Sequence, residues 1–211
     1  MSGAAVRFDH VIVAVADLEV AAGRFYEKHG LASVPGGRHT GLGTGNRIIP
    51  LGDSYLELMA VVDEEEAATS YLAEWVRTVA GSGDRLGALC LRVDDIDVVA
   101  SRIGEEPVPM QRERPDGEVL RWRLAGLQRT LVDPSLPFFI QWDVTPHLLP
   151  GMTRVTHRAR PHGIAWVEIE GDPDVVAPYV QEPDLDIRIV PGGTGLRSLG
   201  IAADDGPIVV T

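Results

Sequence analysis

The chain has 211 residues, 45% hydrophobic and 24% charged, with a formal net charge of −12. The length accommodates one large domain or two small ones. The acidic balance excludes a nucleic-acid partner, whose phosphates demand a basic face. Cys90 is the single cysteine, which excludes an intrachain disulfide framework and a cysteine-based zinc cluster.

No stretch reaches the ~18–20 apolar residues of a membrane span. The opening MSGAAVRFDHVIV lacks the basic start and apolar run of a signal peptide. A cytoplasmic protein with no membrane partner is the expectation. Twenty-three glycines and fifteen prolines fit a turn-rich fold containing β-structure.

The chain repeats itself. RFDHVIVAVADLEVAAGRF (Arg7 to Phe25) aligns without a gap with RLGALCLRVDDIDVVASRI (Arg85 to Ile103), an offset of 85 − 7 = 78 residues. Both copies read as a β-branched strand, an Asp N-cap (Asp17 or Asp95) and an amphipathic helix ending at a glycine, Gly30 or Gly104. LASVPGG, GNRIIPLG and SYLELMAV follow the first helix as three strand-like pieces, and PVPMQRE, EVLRWRLAG and PFFIQWD follow the second. Each module is therefore predicted as β-α-β-β-β.

The acidic start and apolar face of DEEEAATSYLAEWVRTVAG predict a linker helix over 63–81. A weaker third copy begins at IAWVEIEGDPDVVAPYV, with Asp172 and Pro173 at N-cap and N1. The predicted organisation is α+β. Residues 1–145 hold paired modules (7–62 and 84–143), and 146–211 hold a partial third β-α-β module packed on the same unit.

The glycine-rich stretch PGGRHTGLGTGNRIIPLG is not a phosphate loop. A Walker-type loop needs GK[ST] before a helix, whereas Asn46-Arg47 precede a strand. Its glycines read as turn and hairpin residues.

A tandem β-α-β-β-β pair with a strand-borne His in FDHVIVAV resembles the vicinal oxygen chelate superfamily of glyoxalases, extradiol dioxygenases and bleomycin-resistance proteins. PGGRHTGLGTGNRIIPLGDSYLEL resembles, more narrowly, the glyoxalase-like domain subgroup. The resemblance implies sheets curling around a cleft, with metal ligands on the first and last strands of each module. Superfamily members often dimerise, so a homodimer is a further expectation.

Strand alternation puts His10, Ile12 and Ala14 on one face, and Tyr55, Glu57 and Met59 on one face of the module's last strand. The resemblance turns these faces to the cleft and makes His10 and Glu57 candidate catalytic residues and metal ligands. The 78-residue offset maps His10 onto Ala88, and the counterpart of Glu57 is read as Gln141. The expected metal set is His10, Glu57 and Gln141, holding one divalent transition metal (Zn, Fe, Mn, Ni or Co) or none. Cys90 shares a face with Ala88.

His39, Asn46 and Arg47, around the hairpin, and Arg121 and Arg123, on one face of RWRLAG, are the candidate substrate-binding residues. Trp142 falls on the face opposite Gln141 and is expected in the core. His147, His157 and His162 flank the link into the third module. The implied function is glyoxalase-like lyase or isomerase chemistry on a small vicinally oxygenated molecule. The alternative is a metal-free small-molecule binding protein of the bleomycin-resistance type.

Overall fold

The computed structural model describes residues 6–81, 83–113, 117–182 and 184–211. The first module runs β1 (Val6–Ala14), α1 (Leu18–His29), β2 (Val34–His39), β3 (Thr44–Pro50) and β4 (Tyr55–Val61). Two short helices follow, α2 (Glu64–Ala67) and α3 (Tyr71–Ala80). The second module comprises β5 (Arg85–Val93), α4 (Ile96–Ile103), β6 (Val108–Glu113), β7 (Val119–Ala125), α5 (Leu127–Val132) and β8 (Phe138–Trp142). A third group contains β9 (Pro161–Glu170), α6 (Pro173–Val180), β10 (Ile187–Val190), β11 (Gly195–Ala203) and β12 (Ile208–Val210).

The helix ends form for the reasons written in the sequence. Asp17, Asp95 and Asp172 each accept from backbone N–H groups of the following first turn, satisfying donors that the helix itself leaves free. Gly30 and Gly104 adopt the left-handed conformation at the C-caps, both with φ of 70°, where a Cβ would be strained.

The predicted linker helix is two helices. The Asp63 side chain caps α2, and the Ser70 side chain caps a fresh start at α3. The break turns Trp75, Val76 and Ala80 inward and leaves Tyr71 76% exposed. The second module carries an extra helix, α5, which the sequence reading passed over.

Eight strands form one sheet in the order β2-β3-β4-β1-β5-β8-β7-β6, joined at its centre by the antiparallel β1–β5 pair. Side-chain alternation gives this sheet two apolar faces. Val11, Val13, Leu56, Leu58, Leu89, Leu91 and Phe139 pack with α1, α4 and the four-stranded sheet β10-β9-β11-β12 in one core. Ile12, Met59, Ala88, Cys90, Phe138 and Ile140 form a second cluster on the opposite face, closed at one end by Trp75 and Val76 of α3. A Cβ on Gly87 would lie 2.6 Å from Cη2 of Trp75, so that residue must be glycine for the indole to lie over the strand.

The third group differs from the first two in strand order. Its β9-α6-β10 unit is a parallel crossover, and β11–β12 is an antiparallel hairpin beside β9. None of its strands joins the eight-stranded sheet. Val167, Ile169, Leu199 and Ile201 instead cover the outer face of that sheet.

His157 ties the connecting segment to the first module. Its Nδ1 accepts from the Ala32 N–H at 3.0 Å, and the ring bonds the Pro50 backbone, an arrangement that requires neutral imidazole. Burial pushes its pKa below the usual 6.5, and burial lowers His29 and His39 as well. These groups stay neutral in the fold while the unfolded chain takes up protons near pH 6.5. Stability is therefore complete above that pH and falls as pH drops toward the lowered folded values. The urea midpoint is expected to fall between pH 7.5 and 5.5, with a shallower fall in His157→Gln. A midpoint that is flat or rises on acidification would refute this assignment.

Candidate active site

The inner face of the sheet surrounds a cavity of about 100 Å³. The edge strands β2 and β6 approach across it, because Arg112 of β6 reaches Asn46 of β3 and lies against Gly37 of β2. The lining is mostly apolar, including Met59, Met110, Trp122, Leu124, Phe138 and Trp142. Its polar groups cluster around the Glu57 carboxylate.

Glu57 is 6% exposed and His10 4%, so solvent screens neither. Asn46 donates from Nδ2 to Oε1 of Glu57. His10 Nε2 lies 3.4 Å from Oε2 of Glu57, and His39 Nε2 lies 3.7 Å from Oε1. A buried carboxylate without such neighbours would be strongly destabilising. Burial, the largest influence, lowers the His39 pKa; Arg112 and His10 act in the same direction, against Glu57. His39 Nδ1 lies 2.8 Å from the Thr44 hydroxyl oxygen, which fixes the ring.

His10 is held on its other side by Asp9. β1 and β5 slip register between Phe8 and His10, and this irregularity leaves Asp9 outside the ladder pairing. Asp9 is 1% exposed. Its Oδ1 lies 2.7 Å from Nδ1 of His10, and its Oδ2 accepts from Nε1 of Trp142 at 2.9 Å. The His10 ring is stacked on Tyr55 with centroids 4.6 Å apart and meets Phe138 edge-on at 5.5 Å. With Nδ1 facing Asp9, Nε2 is the ring atom presented to Glu57 and to the cavity.

The expected residues therefore divide. His10, Glu57, His39 and Asn46 come together. Arg47 points to the outer face, bonded to Ser33 and Glu19. Arg121 and Arg123 do alternate with Trp122, but Trp122 faces the cavity, so the arginines face away; Arg123 pairs with Asp97 and Gln141. Gln141 is also outside the cavity, because β8 turns Phe138, Ile140 and Trp142 inward. Its amide donates to the Asp94 carbonyl at 2.7 Å and accepts from Arg123 at 2.6 Å. Trp142, expected in the core, lines the cavity and anchors Asp9.

Register identifies the true counterpart of Glu57. Ile12 on β1 pairs with Glu57. The 78-residue repeat carries Ile12 to Cys90, which pairs with Phe138. The second module thus offers Ala88 and Phe138 where the first has His10 and Glu57. Neither can bind a metal ion, so the residues do not fit a four-ligand chelate drawn from both modules.

Asp9, His10 and Cys90 do place ligand atoms within 4.8 Å of one another. In that trio His10 and Asp9 already satisfy each other, and burial pushes the Cys90 thiol well above its usual range, away from the thiolate that ligation needs.

Two residues of the site escaped the sequence reading. Asp9 was visible as an acid inside an otherwise apolar strand, which demands a buried partner. Arg112 was visible as the residue two beyond Met110 in PVPMQRE, on the same strand face.

Paired β-α-β-β-β modules joined edge to edge, with a His and a Glu on the first and last strands of one module facing a common cavity, define a protein of the vicinal oxygen chelate superfamily. A family model described as "Glyoxalase-like domain" matches residues 8–182, and the chain belongs to that family.

Among solved structures, a hypothetical protein from Staphylococcus aureus is similar over 97% of this chain and 84% of its own, with 17% identity and a TM-score of 0.64. Methylmalonyl-CoA epimerase from Mycobacterium tuberculosis shows 21% identity over 69% of this chain and 90% of its own, with a TM-score of 0.43. A point variant of Streptomyces coelicolor methylmalonyl-CoA epimerase in complex with 2-nitronate-propionyl-CoA shows 18% identity over 65% of this chain and 98% of its own, with a TM-score of 0.46. No curated protein matches the chain. Among the described residues, no helix is long and apolar enough to cross a membrane.

Proposed function

We propose that the protein is a glyoxalase-like enzyme performing lyase or isomerase chemistry by proton transfer on a small oxygenated molecule, with Glu57 as the base. The observation that carries this reading is the Glu57 carboxylate inside an apolar cavity, between Asn46 Nδ2 and His10 Nε2. Set in the wall of the cavity, the carboxylate is placed to take a proton from a bound molecule.

In the proposed step, Glu57 takes a proton from the carbon beside a carbonyl. The C–H electron pair moves into a carbon–carbon double bond, and the carbonyl oxygen gains the negative charge. A donor already in place stabilises that charge without reorganising, and Arg112, a cation facing the cavity, is positioned for it. Return of the proton from Glu57 to a different carbon, or face, completes an isomerisation with no net change in protons.

No divalent transition metal enters this step. Ala88 and Phe138 stand at the two positions where the superfamily pattern would place its remaining ligands, and Gln141 is committed elsewhere. The working solution form is proposed to be cytoplasmic, with a small-molecule substrate; a homodimer is compatible with the superfamily.

The same two apolar positions favour a second reading, a metal-free binding protein of the bleomycin-resistance type. Catalysis separates the two. An enzyme catalyses solvent-deuterium exchange into one of a panel of small oxo-compounds, and Glu57→Gln loses that exchange. A binding protein shifts in melting temperature with a ligand but exchanges nothing.

A further inference from the structure

Arg112 is a half-buried cation that faces the cavity and reaches across from β6. Its Nη1 lies 3.5 Å from Oδ1 of Asn46. Among the described residues no carboxylate lies within ion-pair distance of it. Other arginines around the sheet behave differently: Arg47 pairs with Glu19, Arg92 with Asp53 and Arg123 with Asp97.

The strand opposite is shaped around this group. A Cβ on Gly37 would lie 2.8 Å from Arg112 Nη1, and one on Gly36 would lie 2.0 Å from Asn46 Oδ1. Two bare backbone positions in sequence let the guanidinium and the amide lie against β2. Asn46 then connects the two charges, its Oδ1 toward Arg112 and its Nδ2 on Glu57.

A guanidinium has five N–H donors in a fixed fork and stays charged in a protein. Among the described residues Asn46 is the hydrogen-bond partner of this fork, through Nη1, and the cavity beside it is lined mostly by apolar side chains. An occupant that brings an anionic oxygen pair gains more at this position than at a solvated arginine, because the local dielectric is low.

We propose that Arg112 is the anion-binding residue of the cavity and that the ligand is a small monocarboxylate with an aryl or alkyl body. The carboxylate sits on Arg112. The body lies along Trp122, Phe138 and Leu124, which brings the first C–H beyond the carboxylate toward Glu57. This assignment deepens the proton-transfer reading by naming its substrate class.

The test is calorimetric titration with 3-phenylpropanoate and its uncharged isostere 3-phenylpropanamide. Wild type is expected to bind the carboxylate at least ~10-fold more tightly than the amide, the scale of one charge-assisted bidentate contact. Arg112→Gln should erase the preference, and Arg112→Lys should retain part of it. Glu57→Gln should keep the preference, since it leaves the guanidinium untouched. Equal binding of the two probes by wild type, binding of neither, or a preference surviving in Arg112→Gln overturns the assignment. Loss of deuterium exchange alone bears on Glu57 chemistry and not on this subsite, so the two ideas fail separately.

Discussion

Replacing Glu57 by glutamine is expected to lower turnover by roughly 10²–10⁴-fold, the range for loss of a positioned acid or base, with little change in ligand affinity. Glutamine keeps the volume and can still bond Asn46, so the cavity shape survives while the proton acceptor is gone. The loss should therefore appear in kcat rather than in KM. Asp9→Asn should give a smaller loss, because His10 would keep its place between Tyr55 and Phe138 but lose the carboxylate facing Nδ1. Full turnover in Glu57→Gln would remove the base from the account.

The second large effect is on stability. Phe139 is fully buried on β8, its ring 5.7 Å from that of Tyr179 on α6 and 5.7 Å from the Arg102 guanidinium on α4. It joins the second module to the third group. Phe139→Ala removes a large ring and leaves a cavity that β8, held between β5 and β7, cannot collapse to fill. The expected cost is about 3–5 kcal/mol, which for a chain of this size lowers the melting temperature by roughly 6–20 °C. Val132→Ala, at a position 79% exposed on α5, should change stability by less than ~0.5 kcal/mol. Scanning calorimetry on both variants decides this, and a Phe139→Ala protein that melts with wild type would show that the third group docks without that ring.

Much of the first module could be read from the chain because its signals are local. Strand alternation sorted His10 and Glu57 from the packing faces of their strands, the family resemblance turned them to the cavity, and the Asp caps and Gly stops placed α1 and α4. The second module was harder. Its connections differ in length from the first and include α5, so counting residues along β8 took Gln141 for the counterpart of Glu57, and only the β5–β8 register identified Phe138.

Which face of β7 turns inward is a tertiary choice. The alternation of Arg121, Trp122 and Arg123 was legible, but nothing local distinguished an inward tryptophan from an inward arginine. Asp9 lies at an irregularity in strand pairing, and a register slip of that kind leaves no mark in a single sequence. Arg112 acquires its role from the approach of β6 to β2, two edges far apart in the chain.

The central claim is proton transfer by Glu57 without a metal ion. Its most direct test is solvent-deuterium exchange into 2-oxo-4-phenylbutanoate, followed by NMR on protein dialysed against a strong chelator, wild type beside Glu57→Gln. Enzyme-catalysed exchange that persists after chelation and disappears in Glu57→Gln is the result predicted here. Exchange that stops on chelation and returns with a divalent ion, or that survives in Glu57→Gln, would contradict it.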